Sequence, residues 1–461
     1  MPLTDSEQAT LGRLRGRLDR DMKSRRIKGR TRLGFEALKA YYQGMQRLEQ
    51  LGLAVPDDLR QFLTIVNWPR TYVDAVVSRL HPQGFLLDGQ ADQELWRIWQ
   101  ANDLDTEFRM ALVDMLVYGR GYMCAGTNDE QPDTPLITVE SPLQMIHEWS
   151  NRYRRVTAAA RFYVEEVDGK KENRATLYLP DATIWATQGR GGWEEDERDD
   201  HELGRVPVEV LVNRSQTDDR YGESEMAPII TLTDAACRAL TNAQIATEVA
   251  AIPQKYAAGM TQADFKDQKT GEQLTTWETY FGSVWSTANK DAKFGQFSAA
   301  DLTNFKAIVG LYAQLVSGDT GLPMRYLGQL ADNPASEGAI RADESRLIGT
   351  AEEKQEFVNG GLEGTMRSAR LIATGAEDPA LLQLVTDWRP AATPTQAEAA
   401  TASVALYEAR VYSRREALRA MGKSPQQIAV IEQELRDEAL DPVTQAIVNG
   451  VNDAANSGVG A

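Results

Sequence analysis

The feature that most constrains the fold is a stretch of about forty residues, 334–375, in which nothing interrupts helical periodicity. It begins at Asn333-Pro334, a capping residue followed by proline at the first helical position. At 1.5 Å per residue, such a helix is about 60 Å long. Its apolar seam is narrow and consists of Leu347, Ala351, Val358, Leu362, Ala369 and Ile372. This pattern is typical of a helix that packs against neighbouring subunits, and equally of one that spans two domains of a monomer.

Several glycines fall within this helix, although glycine destabilises a helix interior. Among them are Gly349, Gly360, Gly361 and Gly364. Each costs about 1 kcal/mol relative to alanine. The sequence therefore predicts a kink near Gly360, where two of the glycines are adjacent.

Two further long helices are predicted, over residues 223–252 and 298–316. The first has a seam rich in alanine and is closed by Pro253. The second starts at Ser298, whose hydroxyl can cap its first turn, and has an apolar face at helical spacing. The stretch 317–323 contains two glycines and a proline, so it ends the second helix and predicts a loop.

The residues around this loop resemble a known family. Thr320-Gly321-Leu322-Pro323, Tyr326-Leu327-Gly328 and Asn333-Pro334-Ala335-Ser336, in that order and ahead of a long charged helix, are similar to the tunnel-loop region of tailed-bacteriophage portal proteins. The similarity is closest to portals of phages with long non-contractile tails. Looser similarities at Trp96-x-x-Trp99-x-x-Asn102 and Leu177-Tyr178-Leu179-Pro180-Asp181 extend the resemblance over most of the chain.

The resemblance implies the phage portal fold, an α+β and largely helical architecture with a wing, a stem, a clip and a crown. The residues themselves favour strands between 135 and 212, without an alternating βαβ rhythm. The implied parts are an N-terminal arm and wing at 1–222, stem helices at 223–252 and 298–316, a clip at 253–297, a tunnel loop at 317–333, a long wing helix at 334–375, a crown-like helical region at 376–448 and a disordered tail at 449–461.

Two groups of residues are predicted as functional sites on this basis. The tunnel loop would face the DNA channel with Asp319, Thr320, Gln329 and Asp332. Its only basic residue is Arg325, so the loop can crowd a DNA duplex without gripping its phosphates. The clip would form an interface through exposed aromatic side chains, namely Trp277, Tyr280, Phe281 and Trp285.

Residues 13–32 form a strongly basic segment in an acidic chain. They carry ten basic and two acidic side chains, a local charge of +8, whereas the whole chain carries −17. The segment is predicted either as a solvated basic helix or as a docking arm for an acidic partner or DNA. Its representative residues are Arg13, Arg17, Arg20, Arg25 and Arg26.

Two other charged segments have alternative interpretations. The run 193–202 contains seven acidic residues and is predicted as a solvated loop, with a divalent-cation site as the lesser alternative. Helices at about 413–421 and 425–439 are joined by a glycine turn, which is compatible with a DNA-reading helix-turn-helix. The second helix is acidic, the wrong sign for a DNA groove, so a crown-like bundle is favoured.

Composition excludes several other functions. No run of 18 apolar residues occurs, so no transmembrane helix is expected, and the N-terminus lacks the apolar core of a signal peptide. The two cysteines are predicted to be reduced and buried, and the three histidines lack metal-ligand spacing. No phosphate-binding loop, nucleophile elbow or zinc motif is present. No cofactor and no enzymatic activity are therefore expected.

By resemblance, the chain is a portal protein that forms a ring at one capsid vertex of the virion, with about twelve subunits. The implied partners are the chain itself, the major capsid protein and scaffold, the large terminase, the head-completion or adaptor protein, and double-stranded DNA that passes through the channel. Assembly in the host cytoplasm and no contact with a membrane are expected. The alternatives are another capsid-binding or scaffold-binding structural protein without a channel and, more remotely, an acidic hydrolase.

Overall fold

The structure is a computed structural model, and it describes residues 3–27, 30–46, 63–217, 219–250, 255–259, 291, 293–296, 303–329, 337–392 and 396–440. The chain divides into two compact units. The first unit comprises 1–46, 68–230 and 319–461, and the second comprises 47–67 and 231–318. They are described separately.

The first unit begins with the helices and strands of the N-terminal half. In chain order these are α1 (Asp5–Met22), β1 (Arg25–Ile27), β2 (Arg30–Arg32), α2 (Phe35–Gln43), α3 (Trp68–Val77), β3 (Pro82–Leu87), β4 (Gln90–Ala91), α4 (Gln93–Ala101), α5 (Leu104–Tyr118), β5 (Arg120–Gly126), β6 (Leu136–Glu140), β7 (Met145–Ser150), β8 (Arg155–Val167), β9 (Lys170–Tyr178), β10 (Thr183–Gly189), β11 (Gly192–Asp199) and β12 (Val208–Val212).

The remaining elements follow in chain order. The second unit holds most of α6 (Ile230–Ala250), the antiparallel pair of β13 (Lys255–Ala258) and β14 (Lys293–Gln296), and most of α7 (Thr303–Thr320). The first unit then continues with a 3-10 helix (Met324–Leu327), α8 (Glu337–Thr374), a second 3-10 helix (Pro379–Gln383), β15 (Val385–Trp388), α9 (Gln396–Glu408), α10 (Arg414–Ala420) and α11 (Pro425–Leu440).

Among the described residues of the first unit, three antiparallel sheets are larger than the two-stranded pair β1-β2. The largest has five strands in the order β11-β10-β9-β8-β7, and two three-stranded sheets have the orders β12-β5-β6 and β15-β3-β4. Helix α1 is amphipathic, and its buried Leu11, Leu14 and Leu18 pack on the five-stranded sheet in one core with Ile146 and Phe162. The mixed helix-and-sheet architecture expected from the sequence is confirmed.

The long helix predicted from the sequence is also confirmed. Helix α8 is continuous from Glu337 to Thr374 and packs against β5, β12 and β15. Two of its glycines permit a close approach to β12. A Cβ atom at Gly361 would lie 2.7 Å from Leu211 Cδ2, and one at Gly364 would lie 2.7 Å from the Glu209 carboxyl carbon. The kink predicted near Gly360 remains a prediction.

Other boundaries differ from those predicted. The helix expected from residue 223 begins at Ile230, because the residues before it form hydrogen bonds with the end of α5. The Ser224 hydroxyl and the Glu225 amide both donate hydrogen bonds to the Leu116 carbonyl, at 3.4 and 2.8 Å. The acidic run 193–202, predicted as a loop, instead contributes strand β11, because it pairs in register with β10.

In the C-terminal region, the two helices predicted at about 413–421 and 425–439 are present as α10 and α11, and α9 precedes them. Ser413 and Glu416 form a capping box at the start of α10. Helices α10 and α11 are joined by an ion pair between Arg415 and Glu432, with N–O distances of 2.9 and 2.6 Å. The Glu432 carboxylate is therefore committed to a helix–helix contact.

Candidate channel segment and its anchoring charges

The segment predicted as the tunnel loop is helical where it begins. Helix α7 continues through Thr320, whereas the sequence predicted its end at Val316. The chain then turns at Gly321, which has a positive φ of 71°. A Cβ atom there would lie 2.7 Å from Arg346 Cβ, so glycine is required both for the turn and for the close approach to α8. Leu322, which precedes the 3-10 helix Met324–Leu327, and Leu327, the last residue of that helix, are both buried.

Charged side chains of α8 hold this 3-10 helix. The Arg325 guanidinium donates to Asp343 at 2.9 Å and also bonds to Glu344. The Tyr326 hydroxyl donates to the same Glu344 carboxylate at 3.2 Å, and the Arg79 guanidinium lies 3.2 Å from it. Glu344 therefore ties the segment both to α8 and to the residues that follow α3. The only basic residue of 317–333 is neutralised by this contact.

The four predicted channel residues lie in different environments. Asp319 is exposed and Gln329 is half-buried, whereas Asp332 lies outside the described residues. Thr320 is only 5% exposed, and its hydroxyl oxygen accepts a hydrogen bond from the Leu322 amide at 3.1 Å. Within the single chain, Asp319 is therefore exposed, as a channel-facing residue would be, whereas the neighbouring Thr320 is buried.

A second, more deeply buried cluster anchors the middle of α8. Glu225 is fully buried and accepts hydrogen bonds from Tyr72 Oη at 2.8 Å and from Asn213 Nδ2 at 3.0 Å. Arg214 binds the two carboxylate oxygens at 2.8 Å each, and Lys354 Nζ of α8 lies 2.9 Å away. One carboxylate thus joins α3, the end of β12, the turn before α6 and the long helix.

The electrostatics of this cluster favour an ionised Glu225. Burial by itself would raise its pKa, but hydrogen bonds and charge from Arg214 and Lys354 outweigh burial and lower the pKa to about 2. The hydrogen bond to Glu225 in turn raises the pKa of Arg214. Burial, together with the nearby carboxylate, raises the pKa of Tyr72, so its hydroxyl remains a donor. The cluster therefore joins structural elements and is not a catalytic pair.

The buried cluster around Glu225 was not predicted from the sequence, although the position of Lys354 indicates it. Lys354 lies three residues after Ala351 and four before Val358, both of which are on the buried seam of α8. A charged residue at a seam position requires a buried partner of opposite charge. The periodicity indicates that need but not the identity of Glu225.

The basic segment is partly committed to contacts within the chain. Arg13 lies 3.1 Å from the Glu148 carboxylate, Arg17 lies 4.1 Å above the Tyr221 ring, and Arg25 lies 3.6 Å from Asp21. Arg20 is exposed, and the side chain of Arg26 lies outside the described residues. Residues 5–22 thus form a helix that is packed on a sheet, and the docking role predicted for the arm stays a prediction.

The remaining predicted sites are not described. The clip residues Trp277, Tyr280, Phe281 and Trp285 all lie outside the described residues. Among the residues that the structure does describe, no group of three or more His, Cys, Asp or Glu side chains could hold a metal ion. Within that same part of the chain, no helix is long and apolar enough to span a membrane.

Comparisons with known proteins identify relatives of this chain. It is 39% identical over 379 residues to the portal protein of Mycobacterium phage D29, covering 80% of this chain and 78% of that protein. It is equally similar to the portal protein of Mycobacterium phage L5, covering 77% of that protein.

Two solved structures are similar at low sequence identity. One is the neck of a native gene transfer agent particle computed with C12 symmetry, with a TM-score of 0.45, 16% identity and coverage of 80% of this chain and 94% of that one. The other is the virion of a native gene transfer agent particle, with a TM-score of 0.46, 14% identity and coverage of 84% and 99%.

The family comparison covers most of the chain. The sequence model of the family described as "Phage portal protein, SPP1 Gp6-like" matches residues 28–439. This chain therefore belongs to the phage portal protein family, whose members are structural proteins rather than enzymes.

Proposed function

We propose that this portal protein assembles into a closed ring of about twelve identical subunits at one capsid vertex. The observation that carries ring assembly is an exposed apolar stripe on α7. Ile308, Leu311 and Leu315 recur at helical spacing and are 41%, 53% and 46% exposed. Large apolar side chains grouped on one helix face mark an interaction surface, and repeated subunits round an axis would cover it.

The axial hole of the ring is proposed as the channel for double-stranded DNA during packaging and ejection. DNA carries one negative charge per about 1.7 Å of duplex. Arg325 is the only cation of the segment 317–333, and it faces Asp343 and Glu344. Asp319 remains exposed. A segment of this kind repels phosphate weakly and contacts the duplex without holding it, which suits sliding DNA.

Further partners follow from the family. The ring would assemble in the host cytoplasm, with the major capsid protein and scaffold, and would then dock the large terminase during packaging. A head-completion or adaptor protein would replace the terminase, and the predicted clip at 253–297 is the proposed docking part. The competing proposal is a capsid-binding structural protein without a channel.

The channel proposal is tested by reversing the charge of the segment. We expect Asp319→Lys with Asp332→Lys to leave ring assembly intact and to slow or stall DNA packaging, because a ring of lysines would grip phosphate. The stall should ease as salt rises, since added ions screen the new contacts. Single-molecule packaging rates on heads that carry the variant measure this effect.

A matched control keeps the change of charge but moves it away from the segment. Asp129 and Glu130 are exposed in the loop between β5 and β6, so Asp129→Lys with Glu130→Lys should package at the wild-type rate. An unchanged rate for the channel variant at low salt would mean that these side chains do not face DNA. The channel would then have to be lined by another segment.

A further inference from the structure

A half-open cavity of about 580 Å³ lies beside the five-stranded sheet. Four of the residues that line it are arginines, Arg154, Arg155, Arg205 and Arg220. Arg154 and Arg155 are exposed and belong to the turn between β7 and β8 and to the start of β8. Two carboxylates, Glu209 and Glu377, also line the cavity, and Glu209 accepts a hydrogen bond from Arg205 at 2.7 Å. The cavity wall therefore has a surplus of positive charge.

The cavity also contains an unsatisfied buried polar atom. His147 lines it and is 0% exposed. Its Nδ1 lies 3.0 Å from the Tyr122 hydroxyl, and its ring stacks on Tyr221 at 4.8 Å. Within the described structure, Nε2 has no hydrogen-bond partner. If Tyr122 donates to Nδ1, a neutral ring carries its proton on Nε2, and the cavity then presents a buried donor that lacks an acceptor.

The opposite edge of the same sheet carries the complementary charge. Strand β11 forms that edge, and Glu194, Asp196 and Glu197 on it are exposed, as is Asp200 just beyond it. With neighbouring strands about 4.8 Å apart, β11 lies about 19 Å from β7 across the sheet. The antiparallel register places Asp199 beside Thr183, at the sheet end where β7 turns into β8. The basic turn between β7 and β8 and the acidic end of β11 therefore lie at the same end of the sheet.

We propose that, in the ring, the acidic edge of β11 in one subunit docks into the arginine-lined cavity of the next subunit. This inference rests on the ring assembly proposed above. Contacts in a cyclic ring are heterologous, so each subunit must present two different surfaces that fit each other. Carboxylates at one sheet edge and guanidinium groups at the other meet this requirement.

Charge swapping tests the proposed pairing. We expect Arg154→Glu with Arg155→Glu, or separately Glu197→Arg with Asp200→Arg, to raise the concentration needed for half-assembly about tenfold or more, because like charges would then meet. The four changes in one chain should restore assembly, since every interface would again pair opposite charges. Mass photometry measures the ring fraction. The control is Glu434→Arg with Glu438→Arg, two exposed positions on α11 outside the five-stranded sheet, which should assemble like the wild type.

The outcomes separate the possible explanations. If both charge-reversal variants assemble at the same concentration as the wild type, or if the combined variant does not regain assembly, this inference is overturned while the ring itself stands. Intact rings with weakened DNA binding after the arginine reversal would assign the cavity to phosphate instead and would also overturn it. A wild-type chain that forms no rings at all would overturn the proposed function.

Cross-linking provides a second test that does not depend on charge reversal. Cys124 and Cys237 are both buried, so they should not react with a maleimide in the folded chain. Arg154→Cys with Glu197→Cys, treated with a short bismaleimide, should give a ladder of covalent oligomers on a denaturing gel, whereas either single variant should not. Folded rings of the double variant that give no ladder would contradict the proposed contact.

Discussion

The Lys354 ammonium lies 2.9 Å from the Glu225 carboxylate, and their side chains are only 3% and 1% exposed. Lys354 is on the long helix α8, whereas Glu225 lies in the turn before α6. Because neither charge can be hydrated, each depends on the other, while the partly exposed Arg214 also pairs with the Glu225 carboxylate. This pair therefore fixes the position of the long helix against the sheets of the first unit.

Breaking the pair should destabilise the fold strongly. We expect Glu225→Ala to lower the free energy of unfolding by about 3–5 kcal/mol, because it leaves the buried Lys354 ammonium without its partner. Lys354→Ala should cost less, because Arg214 still pairs with the Glu225 carboxylate. Urea unfolding followed by tryptophan fluorescence measures the loss. The control is Arg15→Ala, which breaks an Arg15–Asp19 pair whose side chains are 52% and 55% exposed and should cost about 0–1 kcal/mol. Equal losses of unfolding free energy at the buried and the exposed pair would contradict the structural role of the buried cluster.

Glu225 should also contribute to acid sensitivity. Its pKa in the folded chain is about 2, below the ordinary value of 4.5. The unfolded chain therefore binds the proton more readily, and the contribution is fully present above about pH 4.5 and disappears as the pH falls towards 2. The unfolding midpoint of the wild type should exceed that of Glu225→Gln at pH 6, and the gap should narrow over this window. A gap that is independent of pH would show that charge is not its origin.

Glycines at different positions of α8 should respond differently to alanine. A Cβ atom meets nothing within 4 Å at Gly349 or Gly360, so alanine there should stabilise the chain by up to about 1 kcal/mol through helix propensity. At Gly361 the Cβ atom would lie 2.7 Å from the buried Leu211 side chain and 3.1 Å from the Val210 carbonyl oxygen. Gly361→Ala should therefore destabilise it. Thermal unfolding of the adjacent pair Gly360→Ala and Gly361→Ala should show opposite signs, and shifts of the same sign would contradict the packing.

Glu344 should control the order of the proposed channel segment. It contacts Arg79, Arg325 and Tyr326, whereas the neighbouring Asp343 contacts only Arg325 among these residues. Glu344→Gln should therefore accelerate amide hydrogen exchange in the 3-10 helix Met324–Leu327 more than Asp343→Asn does. Equal exchange rates in the two variants would mean that the segment is held by the burial of Leu322 and Leu327 instead.

Local patterns predicted the elements better than their contacts. The long helix follows from periodicity, and the strands β6, β8, β9 and β12 lie in the stretch 135–212 where the residues favour strands. Strand β11 could not be predicted in this way, because Glu194 to Glu197 have low strand propensity and only their pairing with β10 makes them a strand. The sequence shows that glycines are unfavourable within α8. The reason for Gly361 and Gly364 is their close approach to β12, which is distant in sequence.

The candidate site was predictable only in part. The turn at Gly321 and the family resemblance were visible in the residues themselves. The burial of Thr320 and the neutralisation of Arg325 were not, because both depend on how α8 packs. Similarly, Lys354 indicated a buried partner, whereas the identity of Glu225 is a property of the tertiary fold. Periodicity describes one element at a time, so it cannot select among distant carboxylates.

The proposed function requires that this chain closes into a ring with an open axis. Electron microscopy of the purified chain tests this requirement, because class averages show both the symmetry and the hole. We expect rings of about twelve subunits, or one more or fewer in recombinant material, with a mass near 613 kDa, twelve times the 51.1 kDa chain. Particles that remain monomeric at micromolar concentration over a range of salt, or closed particles without an axial hole, would contradict the account.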